Sequence, residues 1–152
     1  MPIRCEIVSQ DRMVFEGDVD IVVAPSTEGE MGILPNHAPL LATLGFGLIK
    51  VRYNDDEEIF TVAGGVIEVQ PDIITVLADA AENVGEIDIA RAEAARQRAE
   101  KYLEEGVPKD SDAYLKMEAA LRRSKLRLDA VRRYRGGSKR PGLPTISEAD
   151  QS

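Results

Sequence analysis

The sequence of 152 residues has no tryptophan, one cysteine and one histidine. A single cysteine excludes an internal disulfide, and Cys5 lies in an alternating run of apolar residues, so we expect it to be a small buried hydrophobe. One histidine and one cysteine also provide neither a zinc cluster of imidazoles and thiolates nor a convincing Cys-His catalytic pair. We therefore predict a protein with no catalytic residues and no metal site.

Long hydrophobic runs are also absent. No stretch approaches the roughly 20 apolar residues that a membrane-spanning helix needs, and the amino terminus lacks the basic and apolar pattern of a secretory signal. We therefore expect a soluble, cytoplasmic protein. Its length allows one moderate core, or one small domain with a helical appendage.

The net charge of −8 hides a division along the chain. Residues 1–84 hold four basic and fifteen acidic side chains, whereas residues 113–140 hold ten basic and two acidic ones. The basic part could meet nucleic acid, an anionic membrane or an acidic protein. Only Tyr114 and Tyr134 accompany it, which is a poor stacking platform for bases. A β-sandwich adaptor with a basic helical tail, binding nucleic acid or an acidic protein, is the alternative function.

Short alternating segments fill residues 3–78 and predict strands. They are 3–8, 19–23, 48–53, 59–63, 66–69 and 73–77, with extra strands expected around Met13 and Leu41. About ten short strands with tight connections favour an all-β domain, a flattened antiparallel β-sandwich or barrel. We assign it to residues 1–84. The acidic run 55–58 is interpreted as a solvated hairpin tip.

Two helices follow. Residues 88–105 are rich in Ala, Arg and Glu and end at Gly106 and Pro108, and a second helix begins near Ser111. The short connection predicts an antiparallel α-hairpin over residues 85–135, with residues 136–152 as a disordered tail. The first helix presents mostly small residues to its partner, so the hairpin should pack weakly and is a candidate moving part. These residues are Ile89, Ala92, Ala95, Ala99, Tyr102 and Leu103.

Three segments together resemble one family. Residues 29–40, GEMGILPNHAPL, are dense in turn formers, and they are followed by GGVIEV at 64–69 and IDIARA at 87–92. In order and spacing they resemble the epsilon subunit of bacterial F-type ATP synthase, over roughly residues 3–131. The resemblance implies a non-catalytic rotor subunit at the cytoplasmic face of the plasma membrane, which couples proton flow to ATP synthesis and touches the membrane only through Fo.

The same resemblance implies partners for particular residues. The sandwich would dock on the gamma subunit through Ser9 and His37, and on the c-subunit ring through Glu28, Glu30 and Met31. His37 as a partly exposed turn residue, and the two glutamates as a solvated loop, remain open alternatives. The hairpin would extend into the alpha/beta ring and inhibit ATP hydrolysis. There a basic set would meet an acidic segment of the beta subunit: Arg122, Arg123, Lys125 and Arg127.

The hairpin is also a candidate anion site. Arg91 and Arg98 share one stripe of the first helix, and Arg123 and Arg127 lie one turn apart on the second, so folding would bring four guanidinium groups together. Such groups repel unless an anion or acidic partner intervenes, and their forked donors suit phosphate. The alternative is that they pair with glutamates. There is no Gly-Lys-Ser/Thr phosphate loop, which argues against hydrolysis.

The resemblance implies that ATP is a regulatory ligand of this site. It also implies that the protein requires no cofactor. Epsilon subunits that bind ATP carry the motif I/L-D-x-x-R-A, further arginines and a glutamate before the linker. The matching residues here are Glu82, Ile87, Asp88, Arg91, Ala92, Arg98, Arg123 and Arg127.

Overall fold

The computed structural model describes residues 2–10 and 12–134, so the predicted tail lies outside the described residues. Eight strands are followed by a 3₁₀ turn at Val84–Glu86 and two helices, α1 (Ile89–Glu104) and α2 (Asp112–Tyr134). The strands are β1 (Ile3–Ser9), β2 (Arg12–Val19), β3 (Ile21–Ser26), β4 (Gly29–Ile33), β5 (Leu40–Tyr53), β6 (Asp56–Val69), β7 (Ile73–Ala78) and β8 (Ala81–Asn83).

The described strands form one sheet in the order β2-β1-β7-β6-β5-β3-β4, and β8 also pairs with β6. β6 changes partner along its length, since residues 60–62 pair with β8 and residues 65–69 with β7. All pairs are antiparallel except β1 with β7, which is parallel. The predicted sandwich is confirmed, and the sheet does not close into a barrel. The sequence did not predict that β1 would pair in parallel with β7. Periodicity shows which face of the sheet a residue occupies, but not which strand lies beside it.

The described residues form eight strands, where about ten were predicted, and two of the predicted breaks between strands are absent. β5 and β6 each run for 14 residues and contain the segments predicted as separate strands. Gly64 and Gly65 have φ of +87° and +125°, backbone conformations that residues with a side chain rarely adopt. A Cβ atom on Gly65 would lie 2.2 Å from the carbonyl oxygen of Leu77. These glycines therefore let β6 bend without ending.

The sandwich core is built from alternating residues of the strands. Phe60, Ile7, Ile49 and Ile67 are fully buried, and so is Cys5, as predicted. Burial raises the pKa of the Cys5 thiol to about 12. An unreactive, structural cysteine follows from this environment.

The helices begin and end close to the predicted positions. Asp88 caps α1 by accepting a hydrogen bond from the Arg91 backbone N–H at 3.0 Å, and Gly106 follows the helix with φ of +83°. The Ser111 hydroxyl accepts a bond from the Tyr114 N–H at 3.1 Å, immediately before α2. Capping by these residues explains why the sequence predicted where the helices begin and end.

Small residues fill the interface between the helices. Ala92, Ala99 and Ser124 are almost fully buried, and the Ser124 hydroxyl donates to the Ala120 carbonyl at 2.9 Å. Ile89 was expected there but is 48% exposed. The end of α2 packs instead against Ile87, which is 2% exposed.

A second, smaller apolar cluster joins α2 to the sandwich. Ile59, Val84 and Ile87 pack against Ala130 and Val131 of the last turns of α2, with Leu48 and Tyr134 at the edge. Two cation–π contacts extend this junction: Arg122 lies 4.1 Å from the ring centre of Phe46, and the Lys50 amine 5.5 Å from that of Tyr134. The hairpin is thus folded against the sandwich through contacts of α2 with β5, β6 and the 3₁₀ turn.

Candidate functional site

An ion pair links the last strand of the sandwich to the middle of α2. Arg127 Nε donates to Glu82 Oε1 at 2.8 Å, and Arg127 Nη2 donates to Glu82 Oε2 at 3.3 Å. The two side chains are 27% and 29% exposed. This forked geometry fixes the guanidinium plane of Arg127 relative to β8.

A cavity of about 360 Å³ lies beside this pair, between the sandwich and α2. Arg123 and Arg127 reach it from α2, Arg12 from the start of β2, and Glu82 supplies its one carboxylate. Its other walls are Thr61, Val62, Ala63, Ala80, Ala81 and Leu126. Arg12 was not anticipated, because the strand that carries it is remote in sequence from the helices.

The predicted nucleotide residues are only partly brought together. Glu82, Arg123 and Arg127 share the cavity just described, whereas Arg98 lines a different one of about 370 Å³ with Tyr102 and Met117. The four arginines therefore do not line one cavity in this arrangement.

The remaining residues of that set lie around the start of α1. Asp88 is engaged as the helix cap, and Arg91 is exposed. Ile87 and Ala92 are buried in the packing around the hairpin. ATP binding stays a prediction.

The set predicted to contact the beta subunit is partly occupied. Arg122 stacks on Phe46 and Arg127 pairs with Glu82, so both contact the sandwich here. Arg123 and Lys125 are exposed. Half of this basic set therefore already contacts the sandwich while the hairpin is folded.

The predicted gamma-contact residues lie on strands and turns of the sandwich. Ser9 is half-buried at the end of β1. In the loop before β5, the backbone N–H of His37 donates to the Leu34 carbonyl at 3.1 Å, and its ring Nδ1 is 2.7 Å from the Ala38 carbonyl oxygen. His37 is thus a half-buried turn residue, and its contact with gamma stays a prediction.

An exposed apolar row, which the sequence did not reveal, crosses the outer face of the sheet at Val8 of β1. Val8 is the cross-strand partner of both Met13 and Leu77, and Leu77 pairs with Val66. Met13, Val66 and Leu77 are 46%, 38% and 51% exposed. Contiguous exposed apolar side chains are typical of interaction surfaces. Only the strand register could show the apolar row, since its members come from four strands.

Of the predicted c-ring residues, Glu28 lies in the turn between β3 and β4, and Glu30 and Met31 lie at the start of β4. Glu28 and Glu30 are exposed, whereas Met31 is partly buried against the core. The Ser26 hydroxyl shapes this turn by accepting from the Glu28 N–H at 3.1 Å and donating to the Gly29 carbonyl at 2.6 Å. Two carboxylates therefore project from an ordered tip.

Glu58 corrects the interpretation of the acidic run as a solvated loop. It lies within β6, where it accepts hydrogen bonds from the Tyr53 hydroxyl and from Asn83 Nδ2, the latter at 3.0 Å. The bond to Glu58, with a smaller effect of desolvation, raises the pKa of Tyr53 to about 12. Asn83 Oδ1 in turn accepts from the Gly85 N–H at 2.7 Å. The network therefore holds the segment that leads to α1.

Within residues 2–10 and 12–134, neither helix has an apolar stretch long enough to cross a membrane. No three His, Cys, Asp or Glu side chains in that part of the chain are grouped so that they could share a metal ion.

Comparison with known families decides the assignment. Residues 2–84 match the family model for the beta-sandwich domain of the ATP synthase delta/epsilon chain, and residues 86–132 match its long alpha-helix domain. The chain belongs to the ATP synthase delta/epsilon family. This confirms the predicted family, and with it an epsilon-type subunit that is not the catalytic one.

Relatives in this family are similar over most of their length. The ATP synthase epsilon chain of Halalkalibacterium halodurans is 41% identical over 131 residues, which cover 86% of this chain and 98% of the relative. That of Dehalococcoides mccartyi is 46% identical over 139 residues, covering 88% and 94%. A chain in the Euglena gracilis mitochondrial ATP synthase structure has the same fold, with a TM-score of 0.70 at 22% identity and coverage of 86% and 81%.

Proposed function

We propose that this epsilon-family chain is a rotor subunit of F1Fo ATP synthase whose sandwich docks on the gamma subunit through the apolar row. The apolar row is the observation that supports docking most directly, because it leaves Leu77 and Met13 about half exposed on the sheet. Ser9 follows Val8 in β1, and the resemblance places Ser9 at the gamma interface. A partner with a complementary apolar surface would remove this area from water.

The turn between β3 and β4 would face the ring of c subunits. Glu28 in the turn and Glu30 at the start of β4 are exposed, and the Euglena assembly that contains a chain of the same fold includes F1 and the c ring. Docking on both partners would let the subunit transmit rotation and couple proton flow to ATP synthesis. The complex would hold the chain at the cytoplasmic face of the bacterial plasma membrane, with membrane contact only through Fo.

The hairpin would be the regulator. If the hairpin opened so that its helices of 16 and 23 residues lay end to end, they would span about 60 Å at 1.5 Å per residue. That length is enough to run along a central shaft into the alpha/beta ring. Arg122 and Arg127 contact the sandwich in the folded arrangement and would be released on extension. Arg122 and Arg127 therefore cannot contact the sandwich and the beta subunit at the same time. Such mutually exclusive contacts are what a two-state switch requires.

ATP would bias this switch toward the folded state. We assign the nucleotide to the predicted set, in which Arg91, Arg98, Arg123 and Arg127 would hold it. Arg123 and Arg127 already share a cavity with Glu82. A ligand that binds only the folded state, at 100 times its dissociation constant, stabilises it by about 2.7 kcal/mol. That is enough to shift a weakly packed hairpin.

Co-purification tests the rotor assignment. The full chain should elute together with purified gamma subunit and resist separation in high salt, because the contact is apolar. A chain that elutes alone at micromolar concentrations of both proteins would refute the assignment. The nucleic-acid adaptor is not proposed, since both parts of the chain match the epsilon family.

A further inference from the structure

The connection between the sandwich and the hairpin is short. β8 ends at Asn83, and Asp88 caps α1, so the connection comprises residues 84–87. Most of it is the 3₁₀ turn Val84–Glu86. If the hairpin leaves the sandwich, the chain has to bend within these residues, because β8 is paired with β6 on one side and α1 is a regular helix on the other. Contacts that hold the turn therefore influence how readily the hairpin opens.

Asn83 holds the turn with both ends of its side-chain amide. Its Oδ1 accepts from the Gly85 N–H at 2.7 Å, and its Nδ2 donates to Glu58 Oε1 at 3.0 Å. The first bond caps the turn, and the second ties the cap to β6. Glu58 in turn accepts from the Tyr53 hydroxyl. A continuous series of hydrogen bonds therefore runs from the end of β5 through β6 to the turn.

The turn also supplies part of the apolar junction with the hairpin. Val84 and Ile87 are 3% and 2% exposed, and they pack with Ile59 against the last turns of α2. Ile59 directly follows Glu58 in β6, so one segment of that strand both packs in the junction and holds Asn83. A mobile turn would lose conformational entropy each time the hairpin closed. A turn that is already fixed avoids much of this cost.

We propose that Glu58 and Asn83 form a hinge clamp, a hydrogen bond within the sandwich that fixes the turn at residues 84–86 and thereby favours the folded hairpin. The clamp differs from the ion pair of Glu82 with Arg127, because both of its residues belong to the sandwich and neither belongs to α2. Without it, the turn is mobile in the open state, and the equilibrium shifts toward that state. The inference rests on the proposed function in that the hairpin is the part that moves.

Asn83→Asp breaks the clamp and keeps the cap. The new carboxylate still accepts from the Gly85 N–H, but it has no donor for Glu58 and repels it. Hydrogen exchange of the full chain is the measurement, and exchange at Ala130 and Val131 should accelerate by about threefold to tenfold. Glu58→Gln keeps an acceptor for Asn83 Nδ2 and should change these rates by no more than about twofold.

The double variant provides a matched control. Combining Glu58→Gln with Asn83→Asp exchanges donor and acceptor, because the introduced amide donates to the introduced carboxylate. We expect exchange at Ala130 and Val131 to return to within about twofold of the wild type, whereas a defect in the cap alone would persist. Asn54→Asp adds the same charge at an exposed position between β5 and β6, and it should leave both rates unchanged.

The amides of β7 report the stability of the sandwich itself. They should exchange at wild-type rates in every variant, because the clamp acts on the turn. Equal exchange at Ala130 and Val131 in the wild type and Asn83→Asp would overturn the proposal. Acceleration that persists in the double variant, or that is equally large in β7, would also overturn it.

ATP hydrolysis by F1 assembled with each full-length variant separates the clamp from the proposed regulation. Asn83→Asp should slow hydrolysis relative to the wild type, because it favours the extended hairpin, and the double variant should restore the rate. Faster exchange at Ala130 and Val131 with hydrolysis at the wild-type rate would confirm the clamp and reject inhibition by the hairpin. Unchanged exchange in Asn83→Asp would reject the clamp alone, whatever the hydrolysis rate.

Discussion

The carboxylate of Glu82 accepts two hydrogen bonds from the guanidinium group of Arg127, a residue 45 positions later in the chain. Glu82 belongs to the last strand and Arg127 to the second helix, so the pair spans the junction between sandwich and hairpin. The same junction contains the small apolar cluster of α2 and the cation–π contacts of Arg122 with Phe46 and of Lys50 with Tyr134. The strength of this junction decides how readily the hairpin leaves.

Glu82→Gln should loosen the hairpin without unfolding the sandwich. Partly exposed ion pairs contribute about 0.2–1 kcal/mol, so amide exchange at Ala130 and Val131 should accelerate by no more than about fivefold. Glu57→Gln breaks a comparable pair within the sandwich and is the control. Equal exchange at these amides in both variants would show that the Glu82 pair does not fasten the hairpin.

Leu77→Glu should weaken binding to the gamma subunit. It places a charge in the middle of the apolar row, where complex formation would have to desolvate it, and we expect at least about a tenfold loss of affinity. Leu115→Glu is the matched control, because Leu115 is equally exposed, at 53% against 51%, but lies on α2. If Leu115→Glu alone weakened binding, the docking face would lie on the hairpin.

Gly65→Ala should destabilise the sandwich by about 2–4 kcal/mol in urea unfolding, because the new Cβ would meet the Leu77 carbonyl oxygen at 2.2 Å and the backbone has positive φ. Gly32→Ala tests the same change in open space, with nothing within 4 Å. Its effect should stay within about 1 kcal/mol. Equal destabilisation by the two would show that the bend in β6 does not require glycine.

Tyr53 should ionise at an unusually high pH. Its pKa is raised to about 12 by the bond to Glu58, above the value near 10 expected in the unfolded chain. The bond therefore stabilises the fold fully below about pH 10, and that contribution is lost as the pH rises through 12. An absorbance titration of tyrosinate should show a late transition that Tyr53→Phe removes. Its persistence in the variant would assign it to another tyrosine.

Features fixed by local chemistry were predictable from the sequence. The helix bounds followed from Asp88, Gly106 and Ser111, whose capping roles depend on neighbouring backbone groups. The strand count was less predictable. The glycine at position 65 suggests the end of a strand in the sequence, but β6 continues through it.

The surfaces and cavities depended on long-range register. The apolar row joins residues of four strands, and Arg12 meets the hairpin arginines only after the sandwich has formed. Glu58 was misread for the same reason: its partner Asn83 comes from β8. Composition and spacing carry no information about such pairings.

The central claim is that the sandwich docks on gamma and the hairpin inhibits hydrolysis. The most direct test compares ATP hydrolysis by F1 assembled with either the full chain or a chain ending at Glu86. We predict that both assemble with gamma, since the apolar row lies wholly in the sandwich, and that hydrolysis is faster without the hairpin. Equal hydrolysis rates in the two fully assembled complexes would contradict the regulatory role of the helices.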